Sequence, residues 1–121
     1  MANPNIVNVP SIYGKTIGVA LDTTLSTQLL ACASNKLIKI NSIIVANIDG
    51  SSAADATISF YDGSSTWHIA STIGVPAKST LVVVGIDSPL YLEESDQIRG
   101  GASANSDLTC IISYEELDDA W

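Results

Sequence analysis

Apolar and polar residues alternate with a period of two along most of the chain, and turn residues interrupt the alternation at strand-length intervals. Residues 54–61 are the clearest case. Ala54, Ala56, Ile58 and Phe60 fall on one face, Asp55, Thr57, Ser59 and Tyr61 on the other, and Asp62-Gly63-Ser64 then turns the chain. In the next segment Trp67, Ile69 and Ile73 are expected inward and His68 and Thr72 outward, so the two segments form a hairpin. Along 36–48, Ile38, Ile40, Ile44, Ala46 and Ile48 share one face, Lys39, Asn41 and Asn47 take the other, and Asp49-Gly50 ends the run. Ile43 and Val45 then fall on the polar face. A strand apolar on both faces needs cover on both, from another part of the chain or from a neighbouring subunit. Residues 81–86 have the same two-sided character through Val82, Val83 and Val84, and both strands are expected near the centre of their sheets.

Further short strands follow at 89–92 and 97–99, separated by Glu93-Glu94-Ser95-Asp96. A last strand has Leu108, Cys110, Ile112 and Tyr114 alternating with Thr109, Ile111 and Ser113. An early strand runs from Tyr13 through Ile17, Val19 and Leu21. Residues 21–31 fit a helical stripe of Leu21, Leu25 and Leu29 as well as a strand; Thr23, Thr24 and Thr27 favour the strand. The pattern gives an all-β, antiparallel, jelly-roll-like β-sandwich of about eight strands over residues 13–114. Residues 1–12, with Pro4, Pro10 and three asparagines, read as an extended N-terminal arm, and residues 115–121 as an acidic tail ending in Trp121.

Composition agrees with this reading. Ile, Val and Thr supply 32 of 121 residues, against 12 for Glu, Lys, Arg, Gln and Met, which excludes an all-helical protein. The formal net charge of -8, with five basic residues, argues against nucleic acid or an anionic membrane as partner. The start lacks the basic and apolar regions of a secretory signal, so synthesis in a cytoplasm is expected.

Reactive groups are few, and no catalytic, cofactor-binding or metal-binding residue is assigned. His68, the one histidine, is expected on an outward face. Gly14-Lys15-Thr16 resembles the end of a phosphate-binding loop, but Val9 stands where that motif needs glycine. Asn47, Asp49 and Gly50 imitate part of a calcium loop whose first and twelfth positions would be Val45 and Ala56, so they read as a turn. Glu93, Glu94 and Asp96 read as solvated turn charges, and Cys110 as a small core residue rather than half of a disulfide with Cys32. Tyr61, Trp67 and Tyr91 are candidates for a carbohydrate-stacking platform, a reading weakened by the inward position expected for Trp67.

Residues 37–50, 58–63, 89–99 and 111–116, with the opening 5–16, resemble small all-β virion structural proteins of tailed phages, especially those of marine bacteria and cyanobacteria. The resemblance lies in texture and spacing and covers most of the chain; the Cys32 and Cys110 pair and the ending Asp118-Asp119-Ala120-Trp121 depart from it. It implies a non-enzymatic protein located in the virion, with capsid decoration (cement) on the coat-protein lattice favoured over a tail or neck role, and a carbohydrate- or receptor-binding module as the rival class. The expected partners are the major capsid protein or other virion proteins and sister copies in a homo-oligomer, a trimer being favoured. The expected contacts are Ile6, Val7 and Val9 in the arm, Ile43, Val45, Val82, Val83 and Val84 in the two-sided strands, and Trp121 as an anchor.

Overall fold

The computed structural model describes residues 11–118. Nine strands and no helix occur among them: β1 (Ser11–Ala20), β2 (Gln28–Ala31), β3 (Lys36–Asn47), β4 (Ala54–Tyr61), β5 (Thr66–Val75), β6 (Thr80–Val84), β7 (Leu90–Leu92), β8 (Gln97–Ala102) and β9 (Leu108–Asp118). They form two antiparallel sheets, one ordered β1-β9-β3-β6 with β7 also paired to β3, the other ordered β2-β8-β4-β5. Without the three-residue β7, the two sheet orders, β1-β9-β3-β6 and β2-β8-β4-β5, are those of a jelly roll.

The sheets pack face to face and the alternation fills the space between them. On the first sheet the inward rows are Ile17, Ile112, Ile43 and Val84, then Val19, Cys110, Val45 and Leu81. Ala54, Ala56 and Ile58 of β4 with Ile98 and Ala102 of β8 close the core from the other side. The hairpin β4–β5 forms as the sequence suggests. At the end of β3, buried Asn47 ties the sheets together: its Nδ2 donates to the carbonyl oxygens of Ser52 at 3.0 Å and Val75 at 2.9 Å. Its Oδ1 accepts from the Asp49 N–H at 2.9 Å, so the calcium-like spacing is a hydrogen-bonded turn.

The two-sided strands have an internal explanation. Ile40 pairs with Tyr114 and Ser42 with Ser113, which leaves Asn41 as an extra residue on β3. A bulge of this kind reverses which residues point inward beyond it. Ile43 and Val45 are therefore fully buried beside Ile38 and Ile40, and Ile44 and Ala46 turn outward. On β6 the pairings Ile43 to Val84 and Ile44 to Val82 leave Val83 as the extra residue. Val84 is buried, and Val83 is half-buried against the core. The assignment of Ile43, Val45 and Val84 as contacts is corrected: their cover is the opposite sheet of the same chain.

Three more differences have simple causes. Trp67 pairs with the core-packed Phe60 and so shares the inward-facing side, yet it is 59% exposed, because β5 is the outermost strand of its sheet and this pair lies near the hairpin tip. Residues 21–27 form a loop before the short β2, held by Asp22, whose Oδ1 accepts the Thr24 N–H and the Thr27 hydroxyl, each at 3.0 Å. Finally, β9 continues through Glu115 to Asp118, and β1 begins at Ser11, opposite Asp118. Cross-strand pairing to β1 and β3 makes these residues strand rather than tail.

Candidate functional site

Pairing across the first sheet brings residues from distant parts of the chain into outward-facing rows. Gly18 of β1 lies beside Ile111 of β9, Ile111 beside Ile44 of β3, and Ile44 beside Val82 of β6. The row on one side is Ala20, Thr109, Ala46 and Thr80; on the other it is Thr16, Ser113 and Ser42. Thr16 Oγ1 and Ser113 Oγ are 3.3 Å apart, which satisfies two hydroxyls within the face. These three rows contain no charged residue, on a chain of net charge -8. Val82 is 61% exposed and Ile111 36%. Four strands about 4.8 Å apart and three same-face rows about 6.8 Å apart make an uncharged patch of roughly 400 Å².

Charge returns at the next row, where Glu115 pairs with Lys39 and Lys39 with Tyr91. The bulged Asn41 donates from Nδ2 to Glu115 Oε2 at 3.2 Å. Lys15, on the inward side at the sandwich end, reaches Glu116 Oε1 at 3.0 Å, and that bond and charge raise its pKa. Gly14-Lys15-Thr16 is thus extended strand, without the looped backbone that cradles a phosphate.

Of the contacts expected from sequence, Val82 alone among the described residues stands well out from the surface. Ile6, Val7, Val9 and Trp121 lie outside the described residues. The residues that complete the patch, Ile44 and Ile111, escape a reading by strict alternation because the bulge at Asn41 inverts β3. Asn41-Ser42, two polar residues where alternation allows one, was the available signal.

The other candidate groups do not converge. His68 is exposed on β5 opposite Ser59. Tyr61 lies under the Arg99 guanidinium, 3.5 Å from its ring centroid, on the outer face of the β2-β8-β4-β5 sheet, whereas Tyr91 belongs to the opposite sheet. Trp67 donates its indole N–H to Asp62 Oδ2 at 3.1 Å, at the tip of the β4–β5 hairpin. No disulfide joins Cys32 and Cys110. Burial pushes the Cys110 thiol up to about 12, far from the range in which it would act as a nucleophile. Among the described residues no three His, Cys, Asp or Glu side chains gather as a metal-binding group.

No protein-family model matches the chain, and no curated protein does. Among solved structures it is similar to that of the infectious bursal disease virus Gx strain, at 12% identity and a TM-score of 0.44, covering 93% of this chain and 34% of that one. A VP2 subviral particle of the same virus is similar at 14% identity and a TM-score of 0.41, covering 88% and 32%. The chain spans about a third of the length of the chains it matches.

Proposed function

We propose that the protein is a non-enzymatic structural component of a tailed-phage virion that decorates the capsid, binding the coat-protein lattice through the outer face of the β1-β9-β3-β6 sheet. The observation that carries this reading is the uncharged patch centred on Ile111, Ile44 and Val82, on a molecule otherwise rich in carboxylates. Such a contact needs only complementary surface, and no reactive group. A patch of roughly 400 Å² per partner is about half of what a standard stable interface buries on each side. One copy therefore holds weakly by this face alone, and the repeated lattice with its neighbouring copies supplies the remainder through avidity.

The arm completes the proposal. Residues 1–10 lead directly into β1, an edge strand. Ile6, Val7 and Val9 give that segment enough apolar character to add a strand to an edge of a coat subunit or of a sister copy, in a trimer. Trp121 serves as a second anchor. A tail or neck position uses the same surfaces at far lower copy number. Quantitative mass spectrometry of purified particles decides between them: a count comparable to the coat protein is expected, a far lower count moves the protein to the tail, and absence from the particle overturns the reading. Val82→Glu and deletion of residues 2–10 should each abolish particle binding while leaving the fold intact; unchanged binding removes that surface from the proposal.

A further inference from the structure

The opposite sheet carries an open cavity, away from the face proposed above to bind the coat. It has a volume of about 250 Å³ and is lined by Thr23, Leu25, Asp55, Thr57, Thr72 and Ser103 among others. The β1–β2 loop forms one wall, held against β8 by close backbone approach. Any side chain at Gly101 would meet the carbonyl oxygens of Thr24 and Asp22 at 2.6 and 2.8 Å. The Ala102 N–H donates to the Asp22 carbonyl at 2.7 Å, and the Thr23 N–H to Asn105 Oδ1 at 3.1 Å.

The other wall is β5, where the pairings Ala56 to Ile73 and Ile58 to Ala70 leave an extra residue on β5. Thr72 sits in this bulge with φ of 54°, and its N–H donates to Thr57 Oγ1 at 3.1 Å. A β-branched residue in the left-handed region is strained, and such strain persists where the surroundings fix a local geometry.

Asp55 sits between the walls. Its backbone is locked to Ser103 in both directions, the Asp55 N–H donating to Ser103 Oγ at 2.8 Å and the Ser103 N–H to the Asp55 carbonyl at 2.9 Å. Asp55 is half-buried, and its carboxylate accepts no hydrogen bond from any described residue. The cross-strand neighbour is Gly74, which has no side chain to cover it. The lining thus offers one carboxylate awaiting donors, four hydroxyls able to donate or accept, and the exposed aliphatic Leu25. An anion is repelled by Asp55, an apolar group strands the hydroxyls, and a lysine side chain satisfies the carboxylate but little else.

We propose that this cavity binds a single neutral polyhydroxylated unit, one sugar ring of a glycan, with two adjacent ligand hydroxyls donating to the Asp55 carboxylate and Leu25 against the C–H face. The volume suits one ring, below the range of drug-sized pockets. The site is independent of capsid binding, so the two proposals stand or fall separately.

The test is an amide chemical-shift titration of the full chain with the methyl glycosides of glucose, galactose, mannose and N-acetylglucosamine. Each is taken to about 50 mM, the regime in which so small a contact binds. At least one glycoside should shift Thr23, Leu25, Asp55, Thr72 and Ser103, and Asp55→Ala should weaken that response about tenfold or more. Leu25→Glu, on the exposed rim, provides a second variant that leaves the hairpin untouched and should weaken binding as well. No shift with any glycoside, equal shifts in both variants, shifts centred on Trp67, or a response to butylamine alone would each overturn the proposal.

Discussion

Asp62 shows how one side chain sets the tip of the β4–β5 hairpin. Its Oδ1 accepts the Ser65 N–H at 2.8 Å, the Ser64 N–H at 3.0 Å and the Ser64 hydroxyl at 3.2 Å, while Oδ2 takes the Trp67 indole. These donors, the Ser65 N–H foremost and the indole next, favour the charged carboxylate and hold its pKa well below the usual range. A folded-state pKa below the unfolded value near 3.9 contributes stability that is present above about pH 4 and is lost as pH falls toward the folded value. Asp62→Ala should therefore lower the thermal midpoint at neutral pH, and the gap from wild type should narrow as the pH drops below about 4. Melting curves across pH check this; a gap that stays constant would mean the carboxylate's charge plays no part. Gly63, at φ of 98°, completes the turn at a backbone conformation that side chains rarely adopt.

Among the elements, β8 has the least room. At Gly100 a methyl group would overlap the Thr57 carbonyl oxygen and come within 2.8 Å of the Ile58 side chain, because β4 passes close by. Neither the main chain of a central strand nor the buried Ile58 can move cheaply. Gly100→Ala should destabilise the fold by about 3 kcal/mol, at the upper end of overpacking costs, measured by chemical denaturation. Gly18→Ala, on the open face of β1 with nothing within 4 Å, is the control and should change stability little. The same elements mark how far sequence reaches. Strand existence was legible where alternation runs unbroken, as in Ala54 to Phe60, and where β-branched residues run between turn signals, as in Val82 to Val84. Facing was legible only up to the first bulge. One extra residue, at Asn41 on β3 or Val83 on β6, reverses the facing beyond it, and β5 carries two, at Ile69 and beside Thr72; none is marked by the alternation itself, because a bulge is defined only by the pairing with another strand. The outer patch was therefore hidden, while the hairpin, whose partners are adjacent in sequence, was plain. The cavity was hidden for the same reason: Thr23, Asp55 and Ser103 meet only once β8 has been inserted between β2 and β4.

At the scale of the whole molecule, charge and patch act in opposite directions. Every copy carries a formal -8, so copies placed side by side on a lattice repel one another, while the proposed contact face contributes no charge of its own. The repulsion reaches about 30 Å at 0.01 M ionic strength and only about 8 Å at 0.15 M. Hydrophobic contact through Ile111, Ile44 and Val82 is not weakened over that range. Occupancy of the particle at a fixed subsaturating protein concentration should thus rise when salt is raised from about 0.01 to about 0.15 M, and rise most at high coverage, where neighbours are closest. Sedimentation of particles with the protein at each salt concentration measures it. A fall with salt would show that attraction between the carboxylates and a basic coat surface drives binding, and would move the contact away from the outer face of the β1-β9-β3-β6 sheet toward the carboxylate-bearing surface.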